Sequence, residues 1–280
     1  MSRRAFVGSV VAAPLMSRLG MLGARSEHAA GGGRTARRSR DHVAVVGAGA
    51  FGGWTALALL RAGMRVTLVD AWGAGHSRAS SGGETRVIRA VYGGVPIYSE
   101  MAARALVLWR EAEQQWKRQV LFRTGGLWMC ATDDAYVRRS IEPMKAVGLS
   151  VEQLSPDDAA RRYPQLSFRD VRTVFFEPEA GYVTARAACE LVRETFVREG
   201  GEYKQAWMRP GPTAGARLSG ITLSEGGGTL DADRFVFACG PWMAQVLPDV
   251  IGRRIVATRQ EVFFFGTPAG DTRYNFGALP

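Results

Sequence analysis

Gly47-Ala48-Gly49-Ala50-Phe51-Gly52 has the spacing of a phosphate-binding loop, and each glycine has its own mechanical job. Gly47 permits a tight turn, Gly49 lets the backbone approach a pyrophosphate, and Gly52 lets a helix pack close to a strand. Ala50 lies in the loop ahead of that helix, whose free N–H groups and partial positive charge suit a phosphate. Asp70 comes 21 residues after Gly49. A carboxylate there can accept from both hydroxyls of a ribose and argues against a 2′-phosphate, hence against NADP. Taken alone, these residues specify a dinucleotide and leave FAD and NAD both open.

A second group of candidates lies in the polar, glycine-rich stretch that follows: Ser80, Ser81, Thr85, Arg86 and Arg89. Arg86 and Arg89 stand at i and i+3, so a helical turn would present both on one side. A guanidinium can grip a carboxylate through two parallel N–H groups. Two such arginines are more often a solvated face than a site; their place just after the nucleotide loop favours the functional reading.

The elements that must position these residues read clearly. His42–Val46 is a short β-branched run of the kind that forms a buried parallel strand. A helix over Trp54–Ala62 follows the glycine loop and is closed by Gly63, and a second strand, Arg65–Val69, ends on Asp70. Phe235–Ala238 is another buried strand, ending at Gly240. Strand C-termini converge on the ligand in a doubly wound sheet, which places Ala238, Gly240 and Trp242 beside the cofactor.

Ser81-Gly82-Gly83-Glu84-Thr85-Arg86-Val87-Ile88-Arg89, followed by Ala90-Val91-Tyr92-Gly93, resembles the D-amino-acid-oxidase-like flavoproteins. The branch it is similar to contains monomeric sarcosine oxidase, N-methyltryptophan oxidase and pipecolate oxidase. The resemblance continues through Thr124–Trp128, Glu179–Val183 before a helix over Arg186–Glu199, and Phe235–Trp242. Arg259-Gln260 with Glu261–Phe265 resembles the start of a substrate-domain strand. The helical pattern of Glu100–Lys117 places Leu108, Trp109 and Trp116 in the apolar core.

The resemblance implies FAD as the cofactor. It implies that Arg89 binds a substrate carboxylate, that Arg86 lies beside the isoalloxazine ring, and that Ser80, Ser81 and Thr85 hydrogen-bond the ring or the phosphates. Gly82 stands where relatives carry a histidine. The reaction implied is oxidation of a secondary amine, or of an N-methyl or cyclic amino acid, to an imine, with O2 reduced to hydrogen peroxide. Alternatives are a flavin dehydrogenase that uses a quinone or another acceptor, and a non-catalytic FAD-binding remnant. The family runs on beyond Pro280 for roughly a hundred residues. That part holds a second carboxylate-binding cation and the cysteine that bonds to the flavin, a position that none of Cys130, Cys189 and Cys239 occupies. The expectation is therefore a chain that binds FAD weakly and turns over poorly.

Composition sets the remaining bounds. The net charge is +10, but residues 1–40 supply +7 of it through eight arginines and one acid, Glu27. The remainder carries no Lys/Arg run of a nucleic-acid footprint. No apolar stretch reaches the roughly 18 residues of a membrane span. Three scattered cysteines and three histidines give no metal-site spacing. Arg3-Arg4 and the apolar run Val7–Met16 resemble a twin-arginine export signal, the alternative being a basic leader on a cytoplasmic protein.

The chain therefore reads as α/β, a Rossmann-type FAD-binding domain interleaved with an α+β substrate domain on a mixed or antiparallel sheet. The FAD-binding domain takes residues 41–122 and 177–245, and the substrate domain takes 123–176 and an unfinished 246–280.

Overall fold

The computed structural model describes residues 41–215, 217–224, 226 and 228–280, which belong to one compact unit. The export signal and linker expected over residues 1–40 lie outside the described residues. Along the chain come β1 (His42–Val46), α1 (Ala50–Arg61), β2 (Arg65–Asp70), β3 (Arg86–Ile88), α2 (Pro96–Trp116), β4 (Leu121–Phe122) and β5 (Gly126–Cys130). Next are α3 (Ala135–Ala146), β6 (Glu152–Leu154), α4 (Pro156–Arg162), β7 (Thr173–Glu177), β8 (Gly181–Val183), α5 (Ala185–Arg198) and β9 (Glu202–Gln205). Short strands follow: β10 (Met208–Pro210), β11 (Thr213–Ala214), β12 (Arg217–Leu218), β13 (Ile221–Leu223), β14 (Thr229–Leu230) and β15 (Arg234–Phe237). No helix among the described residues is long and apolar enough to cross a membrane.

Four parallel strands in the order β15-β1-β2-β9 form the central sheet. β1 and β2 are apolar on both faces because both faces are covered, as a parallel sheet requires. Val43, Val45, Val66 and Leu68 pack against α1 and α5 with Ala56, Leu57, Val192 and Phe196. Val46 and Val69 face the other way and pack on Ile221 and Leu223 of the antiparallel sheet β10-β13-β14. Full burial of a side chain such as Leu68 or Phe196 stabilises by about 1.5–3 kcal/mol.

Two further antiparallel sheets, β3-β8-β4 and β5-β7-β6, are built from the middle of the chain. In the second, Trp128 stands opposite Phe175, and Glu177 follows two residues on, so all three share a face. That face closes a separate core with Ala90, Val91, Ala102, Val137 and Met144.

Three expectations are corrected. Arg86–Ile88 is a strand, paired antiparallel with Gly181–Val183, and not a helical turn. Side chains alternate along a strand, so the i, i+3 spacing does not bring Arg86 and Arg89 to one side. Glu261–Phe265 forms no strand, because nothing among the described residues pairs with it. Leu108 is 41% exposed, so α2 turns only part of its apolar surface inward.

Candidate active site

The C-terminal ends of β1, β2 and β15 open onto a cleft of about 820 Å³, lined by Gly47, Gly49, Ala50, Asp70, Ala238 and Gly240 among others. Gly47 has φ +104°, and a Cβ there would collide with the Ala238 carbonyl. A Cβ on Gly52 would collide with the Gly47 carbonyl. These two glycines hold strand, turn and helix together and do not need a ligand to explain them. Gly49 differs: its only close neighbour would be Ser81 Oγ at 3.2 Å, so its open side is the cleft. It is also the N-cap of α1 and has no side chain of its own to cap the helix. Ala50 N–H donates to Ser81 Oγ at 3.2 Å. The remaining first-turn amides are the groups an α-helix leaves without internal acceptors.

Asp70 ties the site together through main chain. Its Oδ2 accepts from Ala48 N–H at 2.7 Å, and its Oδ1 accepts from Trp72 and Gly73 N–H, each at 2.9 Å. A carboxylate offers about four lone-pair sites, and three are already taken. Asp70 therefore orders both flanking loops and keeps about one acceptor direction for a ligand hydroxyl. His76 Nδ1 accepts from Arg78 N–H at 3.2 Å, which leaves the ring proton on Nε2, 3.9 Å from Asp70 Oδ1. Burial holds the His76 pKa below its ordinary value. Trp72 lines the cleft, with ring centroids 4.6 Å from Trp207, 4.8 Å from Trp242 and 5.1 Å from His76.

Arg86 lines the cleft, and its guanidinium is fixed by its own loop: Nε donates to Ser80 O at 2.7 Å and Nη1 to Thr85 O at 2.8 Å. Thr85 contributes this carbonyl and lies outside the cleft lining, as does Gly52, whereas Ser80, Ser81 and Trp242 are in it. Gly82 could not carry a side chain here, because a Cβ would collide with the His76 carbonyl. Arg89 lies elsewhere. Its guanidinium packs over the rings of Tyr92 and Trp128, at 4.7 and 5.1 Å, and Nη1 donates to Val91 O. The structure thus brings together the loop, Asp70, Ser80, Ser81, Arg86 and the Ala238–Trp242 segment, and sets Arg89 apart from them.

The profile of the family described as FAD dependent oxidoreductase matches residues 42–277. The chain belongs to that family. Among its relatives, monomeric sarcosine oxidase of Bacillus sp. (strain B-0618) is 27% identical over 225 residues, covering 80% of this chain and 57% of that protein. N-methyl-L-tryptophan oxidase of Salmonella arizonae is 26% identical over 250 residues, covering 84% and 66%. The chain thus spans about three-fifths of the length of the curated relatives it matches. Among solved structures, L-proline dehydrogenase from P. horikoshii superposes with a TM-score of 0.64 at 18% identity over 75% of this chain and 55% of that one. Glycine oxidase from Bacillus cereus gives 0.60 at 18% identity, over 75% and 58%. At these identities the solved structures share the fold.

FAD is the cofactor of this FAD-dependent oxidoreductase family, and the residues present fit it. The cleft is within the roughly 300–1,000 Å³ of small-molecule sites. It supplies a helix start and a glycine surface for a diphosphate, and a fixed cation in Arg86. Several lining residues escaped the sequence reading: Trp72, His76, Trp207 and Arg209. Trp72 carried a usable signal, two residues past the strand-end acid. Trp207 and Arg209 did not, because their place depends on β9 pairing beside β2. Cys239 also lines the cleft, with its thiol pushed up to about 11 by burial and by Asp70, which favours the protonated thiol at neutral pH.

Proposed function

We propose that this chain forms the FAD-binding part of an oxidoreductase that oxidises a secondary amine or amino acid of the sarcosine or proline kind to an imine. The amine gives up one hydrogen from nitrogen and one from the adjacent carbon as the C=N double bond forms. Those two electrons and two protons end on O2, which becomes hydrogen peroxide, and the imine is then open to hydrolysis. The observation that carries this reading is the cleft. A helix start, a loop ordered by Asp70 and a fixed arginine meet there at the C-terminal ends of parallel strands. The names of the relatives, sarcosine and N-methyl-L-tryptophan oxidase, supply the substrate class.

When bound, FAD supplies the two-electron acceptor. The chain's own residues do the rest. The amides at the start of α1 and the Ser81 hydroxyl hold the diphosphate, and Asp70 takes one ribose hydroxyl. Arg86, anchored by Ser80 and Thr85, places a fixed positive charge where negative charge builds up during the reaction. Arg89 binds the substrate carboxylate with the N–H groups its single Val91 contact leaves free. Residues 41–122 and 177–245 make the nucleotide part, and 123–176 belongs to the substrate part.

The test is an anaerobic absorption spectrum of the FAD-loaded protein before and after adding sarcosine or proline. Bleaching of the visible flavin band is expected, and its loss in Arg89→Met with FAD still bound. Bleaching that survives unchanged in Arg89→Met overturns the carboxylate assignment. No FAD-dependent spectrum at all overturns the cofactor site.

A further inference from the structure

We propose that Glu177 is the positioning residue for Arg89: it fixes both the backbone that follows Arg89 and the Trp128 ring that packs on its guanidinium. The inference rests on the reading of Arg89 as the carboxylate binder, and it adds a residue that neither the sequence nor the relatives single out.

Glu177 ends β7 and is 1% exposed. An acid so deeply buried needs partners, and every partner here is an N–H group. Ala90 N–H donates to Oε1 and Trp128 Nε1–H donates to Oε2 at 3.3 Å, and the Val91 amide also favours the charged carboxylate. Ala90 and Val91 immediately follow Arg89 in the chain. Trp128 lies on β5, opposite Phe175 and on the same face as Glu177. A single carboxylate therefore joins two segments roughly forty residues apart in sequence.

Arg89 lies where those segments meet. Its guanidinium stacks over Trp128 and Tyr92, and it donates to the Val91 carbonyl, one residue past the Ala90 amide that Glu177 holds. Two aromatic rings and one carbonyl fix the plane of the group and leave most of its N–H edge free. That is the presentation a bidentate carboxylate requires. Glu177 also lends a negative charge near Arg89. Burial pushes the Glu177 carboxyl up from its ordinary range, while the N–H groups and Arg89 pull the other way.

A carboxylate accepts everywhere and donates nowhere, which suits partners that are all N–H groups. Glu177→Gln keeps the size and shape but turns one oxygen into an NH2 that must face an N–H donor. The variant breaks the arrangement without opening a cavity.

Two measurements test the proposal. The first follows the Arg89 Nε–H resonance without FAD, identified by its disappearance in Arg89→Met. Ring currents from Tyr92 and Trp128 should shift this signal away from the value of a free arginine. In Glu177→Gln it should move back towards that value. The second titrates acetate into the FAD-loaded protein, followed by tryptophan fluorescence and the visible flavin band. Glu177→Gln should raise the acetate Kd about tenfold and leave the FAD affinity unchanged. If the Arg89 signal and the acetate Kd both stay at wild-type values in Glu177→Gln, the proposal is overturned. If Arg89→Met binds acetate as tightly as wild type, the carboxylate reading of Arg89 fails, and the resonance still decides whether Glu177 positions it. Should Glu177→Gln not fold, Trp128→Phe removes only the indole donor and one ring. It should shift the resonance part of the way, and no shift at all would again overturn the proposal.

Discussion

Arg234–Phe237 and Val262–Phe265 are nearly the same kind of sequence, RFVF and VFFF, with opposite fates. The first is β15, paired in register with β1 and half-buried between two cores. The second forms no strand, and Val262, Phe263, Phe264 and Phe265 are 62–89% exposed. Composition does not separate them. What differs is a neighbour: β15 has β1 beside it and α1 with the β10-β13-β14 sheet around it, whereas Glu261–Phe265 has no strand beside it among the described residues. β-propensity is the fit of a side chain to a pleated, covered surface, so it acts only once that surface exists.

The packed side of this comparison should break hardest at Gly52. A Cβ there meets the Gly47 carbonyl, which is backbone and cannot swing aside. Gly52→Ala should cost on the order of 3–5 kcal/mol, read as a lower urea midpoint, and should abolish nucleotide binding. Full stability in that variant would mean that α1 can move away from the loop. The next test sets the two segments directly against each other. Val236→Asp places a charge within the core facing α1 and should destabilise by about 2–4 kcal/mol. Phe264→Asp should change stability by less than about 0.5 kcal/mol and improve solubility. Equal costs would show that Val262–Phe265 is packed after all.

A smaller effect should appear at the far end of the sheet from the cleft. His42 is buried and accepts from Arg65 at Nδ1, 2.6 Å away. Its Nε2 lies 2.8 Å from Thr67 Oγ1, which in turn donates to Glu202. Asp233 holds the His42 amide. Burial and the Arg65 charge lower the His42 pKa, outweighing the acids around it. The neutral ring is thus favoured in the folded state. Its contribution is present above the unfolded value of about 6.5 and is lost as pH falls below it. Urea midpoints should decline between pH 7 and pH 5, and His42→Gln should flatten that decline. An unchanged slope in the variant would place the titration elsewhere, with His76 the next group to examine, since its pKa is lowered too.

How much of this was legible in the sequence follows the same division. β1, the glycine loop, α1, β2 and Asp70 lie within 30 residues, and each local preference agrees with its neighbours, so they could be read directly. β15 was legible for the same reason, and α5 through the family resemblance. The strand at Arg86–Ile88 was not. It exists because Gly181–Val183 pairs with it from almost a hundred residues away, and that pairing overrides the i, i+3 pattern of the two arginines. Leu108 and the Trp207 side of the cleft failed likewise, since burial and placement there depend on distant elements. Even Asp70 changed its role. The motif placed it correctly, but the main-chain amides that occupy it depend on how the following loop turns back.

A thermal-shift titration with FAD on wild type and Gly49→Val tests the cleft at Gly49 most directly. Gly49 has a φ of −72° that any residue adopts, and its missing side chain would meet only Ser81 Oγ. The variant should therefore fold, within about 1 kcal/mol of wild type, while filling the space a diphosphate must enter. Wild type should gain stability with FAD, by about 2.7 kcal/mol at a hundred times Kd, and Gly49→Val should gain none. An equal FAD-dependent rise in both proteins would contradict the placement of the cofactor on this loop.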